Sequence, residues 1–208
     1  MLRPSRTCIC LAAAVAVTRA NAAERRLLLE DLSLPGAFRP DVWNLAGAVL
    51  QHSPEFPPDL ADLPDPARAS LRVEVRWPRD DQFRFVGLNP VLSRGALPFR
   101  LRDVSLWVWA EDDPHYLEAH FRGPDGKDAG KVGFGQLAFR GWRRLEAHIP
   151  EDWQQPLRLA GLTLHSWGLK ADQGGERTLL LTRLEAVVDD TEPLPGVSRE
   201  PVLLAAPH

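Results

Sequence analysis

Between Asp103 and Pro150 the chain sets two rows of bulky side chains against each other at a period of two. Val104, Leu106 and Val108 alternate with Ser105, Trp107 and Trp109. Successive side chains of a strand face opposite sides of its sheet, so this spacing calls for a strand, and bulk in both rows calls for one covered on both faces. The acidic run Glu111-Asp112-Asp113-Pro114 ends it and reads as ordinary turn chemistry. A second strand is expected from His115 to Phe121, followed by the dense turn Gly123-Pro124-Asp125-Gly126. Lys131 to Phe139 and Trp142 to Ile149 add two more, hinged at Gly141. Four strands with short connections predict an antiparallel meander in the middle of a β-sandwich.

The flanking sequence extends the pattern. In Ser70 to Trp77, Leu71, Val73, Val75 and Trp77 alternate with Arg72, Glu74 and Arg76, the signature of one buried and one wet face. Ala23 to Leu34, Gln82 to Val86, Leu157 to Trp167 and Arg177 to Val188 complete the expected strands, with a loop over 91–101. Residues 35 to 68 carry Pro35, Pro40, Pro54, Pro57, Pro58, Pro64 and Pro66, too many missing donors for a long helix or a central strand. Trp43 is expected to pin this insert to the core, and Leu45 to Gln51 suits a short helix. From Asp189 the pattern fades, and 191–208 reads as a Pro-rich tail, a mobile terminus in preference to a segment docked through its Val202-Leu203-Leu204 patch. Seven to nine strands and almost no helix predict an all-β fold, an antiparallel β-sandwich of jelly-roll, galactose-binding-like type, in one domain over 23–190.

Residues 1–22 have the make-up of a signal peptide. Arg3 and Arg6 precede an apolar run from Cys8 to Val17, and Ala20-Asn21-Ala22 supplies small residues at a cleavage site. The run falls short of the roughly 20 apolar residues that span a bilayer. Cleavage would remove Arg3, Arg6 and Arg19 from 25 basic residues, none of the 28 acidic ones, and both cysteines. The mature chain is then acidic and free of disulfides, held by core burial alone. Acidity argues against a nucleic-acid partner, and the expected location is the periplasm.

Enzyme signatures are missing. There is no G-x-S-x-G elbow, and Ser166 lies in an expected strand between His165 and Trp167. Gly126-Lys127-Asp128-Ala129-Gly130-Lys131 lacks P-loop spacing, and Gly133-Phe134-Gly135 opens no helix. His115, His120, His148 and His165 show no tight ligand spacing and read as surface or strand-packing side chains. Glu111, Asp112, Asp113 and Glu118 do not suggest a glycosidic acid–base pair, since three of them make a turn. Glu30 and Asp31, with Glu185 or Asp189, have the hard oxygens for a calcium clip, but solvated edge charge explains them as well. No catalytic residue, metal site or cofactor is expected. The seven tryptophans are the strongest signal, since each can bury about 150–250 Å². Trp107 and Trp109, two apart in one strand, suit the core, a subunit interface or an aromatic platform for sugar rings.

These residues resemble the flagellar filament outer layer proteins of spirochaetes, the sheath subunits of periplasmic flagella. The likeness is carried by Leu29-Glu30-Asp31-Leu32, Val104-Ser105-Leu106-Trp107-Val108-Trp109, Tyr116-Leu117, Asp125-Gly126, Gly135-Gln136-Leu137-Ala138-Phe139, Gly141-Trp142 and Ile149-Pro150. It departs from the family at Ala110, where a small residue, often Gly, is usual, and in the Pro-rich insert and tail. The resemblance implies a non-catalytic structural subunit of the filament outer layer, with flagellin core subunits and further copies of itself as partners. A related pattern occurs in sugar-binding jelly rolls attached to glycosidases, so the alternative expectation is a periplasmic carbohydrate-binding module. Those modules often hold calcium through an acid near the start of the last strand, a place taken here by Thr182.

Overall fold

The computed structural model describes residues 24–30, 32–44, 47–62, 68–80, 82–91, 96–166 and 174–194. The expected leader, Asp31, Trp167 and the Val202–Leu204 patch lie outside them. Among the described residues the chain forms eleven strands and two short 3-10 turns, Pro35–Ala37 and Pro58–Leu60. The strands are β1 (Glu24–Glu30), β2 (Phe38–Trp43), β3 (Gly47–Ser53), β4 (Ser70–Trp77), β5 (Phe85–Pro90) and β6 (Phe99–Glu111). β7 (Tyr116–Arg122), β8 (Asp128–Gln136), β9 (Arg140–His148), β10 (Arg158–His165) and β11 (Gly175–Pro193) follow. They make the expected β-sandwich of two antiparallel sheets: sheet A in the order β3-β4-β11-β6-β9, and sheet B in the order β2-β5-β10-β7-β8.

β11 organises sheet A. One side of it pairs with β6, and the other pairs first with β4 and then with β1. The change of partner falls at Thr182–Glu185, where the register slips and Arg183 takes φ 51°. Alternation then does the packing. Leu71, Val73, Val75 and Trp77 of β4 are at most 2% exposed, and with Val104, Leu106, Val108 and Ala110 of β6 they form one wall of the core. Val86, Leu88, Leu117, Ala119, Phe121, Leu162 and Leu164 of sheet B form the other.

The structure corrects five expectations. The stretch from Asp103 to Pro150 is not one meander, because β6 pairs with β9 in sheet A while β7 pairs with β8 in sheet B. The chain crosses between the sheets twice, and the crossings are stitched together. Asp112 N–H donates to Phe139 O at 2.6 Å, Asp113 N–H to Leu137 O at 3.0 Å, and Leu137 N–H to His115 O at 3.0 Å. Asp113 and His115 are each 1% exposed, so this is a buried staple and not a solvated turn. Asp113 Oδ1 accepts from the His115 backbone N–H at 2.9 Å and contacts its ring Nδ1, and the ring stacks on Trp77 with centroids 3.9 Å apart.

The proline-rich insert also differs. It supplies β2 and β3, and β3 takes the place of the expected helix. Both strands sit at sheet edges, where Pro40 leaves no ladder bond broken in a central strand. β3 gains a full register with β4, from Gly47↔Arg76 to Ser53↔Ser70, which outweighs local propensity. Trp43 does not anchor the insert to the core; it is 59% exposed on an edge strand. Finally, the last strand outruns its expected end. Pro193 pairs with Phe99, and Leu194 N–H donates to Pro98 O at 3.0 Å.

Candidate functional site

The outer face of sheet B is built from side chains that alternate away from the core, and three register rows define it. The first row runs Trp43, Phe85, His165, Tyr116, Gln136 from one edge of the sheet to the other. The second runs Asp41, Gly87, Thr163, Glu118, Gly133. In the third, Gly161, His120 and Lys131 are consecutive partners. Aromatic groups stand along one side, and glycines lower the floor beside them.

The rings form a continuous ladder. His165 lies nearly parallel to Tyr116 with centroids 5.7 Å apart, and Phe83 approaches both His165 and Phe85 at 6.1 Å. Phe83 is 43% exposed at the rim. It is held there because Arg84, 3% exposed, reaches inward to Pro78 O and the Asp80 carboxylate, while its backbone pairs with Ser166. Asn44 Nδ2 donates to Phe83 O at 3.1 Å and ties the end of β2 to the same rim.

Glu118 sits at the centre. Its carboxylate lies 3.3 Å from His165 Nε2, 3.9 Å from Lys131 Nζ and 4.0 Å from His120 Nε2. His120 Nε2 is shut off from solvent without a hydrogen-bond partner. Burial, and after it the Lys131 charge, pushes the His120 pKa down, with Glu118 and Asp128 opposing, so the ring is neutral at pH 7. Phe83, Phe85, Glu118, His120, Lys131, Thr163 and His165 enclose a hollow of about 470 Å³. It shares His120 and Thr163 with a second hollow of about 500 Å³ that extends past Asn89 and Arg122, so the two make one groove along β7 and β10.

This arrangement can stack flat, partly apolar rings and hydrogen-bond their substituents.

The residues singled out in the sequence fall elsewhere. Trp107 and Trp109 are half-buried on the outer face of sheet A, on the far side of the sandwich from the groove. Trp107 lies between Thr182 and Arg144, and Trp109 between Leu180 and Trp142. Two of the acids considered for calcium meet arginines: Glu185 contacts Arg144 at 3.0 Å and Arg183 at 2.9 Å, and Asp189 contacts Arg102 at 2.6 Å. Thr182 is fully buried and donates to Ala69 O at 2.8 Å. Of the four histidines, His115 is buried in the staple, and His148 is a surface residue 2.8 Å from Asp103. His120 and His165 meet at Glu118, a convergence absent from the sequence reading. Its one signal was the polar row Tyr116, Glu118, His120, Arg122 on a single face of β7.

No family model matches this chain, and no curated protein does. Among solved structures, it is similar to a carbohydrate-binding module from the beta-sandwich super family, with TM-score 0.50 and 14% identity, over 73% of this chain and 57% of that one. It also resembles the family 11 carbohydrate-binding module of the cellulosomal cellulase Lic26A-Cel5E of Clostridium thermocellum, with TM-score 0.47 and 9% identity, over 80% and 96% of the two chains. A carbohydrate-binding module with specific mannan recognition gives TM-score 0.44 and 13% identity, over 78% and 98%. The chain thus spans 57% of the length of the first of these structures. At 14% identity that likeness establishes the β-sandwich fold and leaves the ligand to the groove's own chemistry.

Proposed function

We propose that this protein is a non-catalytic carbohydrate-binding β-sandwich, exported by its leader, and that it binds glycan in the groove of sheet B. The observation that carries the reading is the ring ladder Phe85, His165, Tyr116 beside the glycine floor and Glu118. Sugar rings have one apolar face and an equatorial belt of hydroxyls. A ladder of aromatic faces buries the first, and Glu118, Thr163 and Lys131 supply acceptors and donors for the second. Trp107 and Trp109 are not the platform on this reading. A glycan array followed by calorimetry tests it. Binding is expected, and Tyr116→Ala is expected to weaken it by at least about tenfold, as truncating a central aromatic anchor costs upwards of about 1.4 kcal/mol. No glycan bound by the intact protein overturns the reading.

A second reading is the flagellar sheath subunit implied by the family resemblance, with flagellin and further copies as partners. What favours it is the aromatic strip Trp107, Trp109 and Trp142 around Leu180 on the outer face of sheet A, a surface suited to lateral contact. Deleting the gene and imaging purified flagella tests it: a thinner filament is expected, and unchanged thickness and composition sinks it.

A further inference from the structure

The two halves of the groove differ in charge. Past the ring ladder, Arg122 and Arg158 are register partners across β7 and β10. Like charges directly opposite one another destabilise a sheet unless something neutralises them. His120 stands two residues along β7 on the same face, with Lys131 as its own partner on β8. The nearby acids are engaged elsewhere or outnumbered. Glu118 is shared among His165, Lys131 and His120, and Asp125 lies 3.3 Å from Lys127. Asp128 alone pairs with Arg122. Two polar atoms in this half, Arg158 Nε and His120 Nε2, are cut off from solvent with no hydrogen-bond partner. Gly161, the register partner of His120, lies close against β5, where a Cβ would come within 2.8 Å of Leu88 O and 2.9 Å of Asn89 Oδ1.

We infer that this half of the groove is an anion seat, and that the ligand is therefore an acidic oligosaccharide, one bearing carboxylate or sulfate groups. This rests on the glycan reading above and narrows it. Guanidinium forks match planar and tetrahedral oxyanions with paired donors; Arg122 lines this hollow, and Arg158 is its register partner on the neighbouring strand. Lys131 adds a point charge, and His120 Nε2 a hydrogen bond. Six residues of β7 separate Tyr116 from Arg122, about 20 Å of strand, so a single sugar cannot reach both halves.

The test is calorimetry on the full chain with matched neutral, uronate-bearing and sulfated oligosaccharides at low and high salt. The expected result is roughly tenfold or greater preference for an acidic ligand, weakening with salt as surface charges are screened. The uronate and sulfate arms decide which anion is seated. Arg122→Gln, at an exposed position, is expected to lose that preference. Arg140→Gln, exposed on β9 of sheet A, is the control and is expected to keep it. Equal affinity for neutral and acidic ligands, or an Arg122→Gln variant with its preference intact, overturns the anion seat and leaves the glycan reading standing. Binding of no glycan at all overturns both.

Discussion

Replacing Asp113 separates hydrogen bonding from simple burial at the junction of the two sheets. Its Oδ1 serves two donors of His115, the backbone N–H and ring Nδ1, inside a pocket where both residues are 1% exposed. Asp113→Ala leaves both groups buried without a partner, and each such loss costs about 1–3 kcal/mol. The freed imidazole also loses the contact that holds it flat against Trp77. The total is about 3–5 kcal/mol, and a domain of this size loses about 2–4 °C per kcal/mol, so the thermal midpoint is expected to fall by about 6–20 °C. Asp113→Asn keeps an acceptor oxygen in place, while its new amide nitrogen replaces Oδ2, which has no partner. Its loss is expected to be less than half as large. Circular dichroism melts give the midpoints, and near-ultraviolet spectra follow the stacked Trp77. A drop of under about 2 °C for Asp113→Ala, or an Asn variant as unstable as the Ala variant, refutes the hydrogen-bond account.

Further predictions concern the groove. Gly161→Ala forces a methyl against a backbone carbonyl that cannot swing aside, and overpacking of that kind costs about 1–3 kcal/mol in a melt. Gly133→Ala meets nothing closer than Gly135 N at 4.0 Å, so the same melt is expected to show no loss, while calorimetry shows weaker glycan binding because the floor has risen. His120 has its pKa depressed in the folded chain, so the unfolded chain takes up the proton first. Stability is therefore expected to decline as pH falls below 6.5, and His120→Gln should flatten that part of a pH-dependent melt. Protonation adds a cation beside Glu118, Lys131, Asp128, His165 and Arg122, so affinity for an acidic glycan is expected to rise from pH 7 to pH 5. An unchanged affinity contradicts this.

The sandwich was legible in the sequence because its evenly patterned strands are its most buried ones. Leu71 to Trp77 and Val104 to Val108 carry their period of two without interruption, and each lines the core. What stayed hidden depends on partners far away in the chain. Nothing near His115 says that its ring will stack on Trp77 across the sandwich, and a run of acids before proline is normally wet. The edge strands β2 and β3 were hidden for a different reason. Pro40 and the glycine and alanine of β3 have low strand propensity, and only the waiting edges of β5 and β4 make them strands. The groove was the least legible of all, because its rings and charges come from β5, β7, β8 and β10. Trp107 and Trp109 drew attention by standing two apart on one strand, but that strand belongs to sheet A and turns them away from the groove.

The position of β11 sets the order in which this protein can fold. It is the last strand among the described residues, and β1, β4 and β6 all pair with it. Until residues 175–193 have been synthesised, β4 and β6 each present an open edge, and β1 has no ladder of its own. A chain stopped short of that point retains hairpins such as β7–β8 but no sheet A to close the core over them. Sheet A therefore waits for residues 175–193, and the exposed edges favour intermolecular pairing in the meantime. C-terminal truncations that remove β11 are expected to aggregate as they are made, since no smaller folded unit is left for them to adopt.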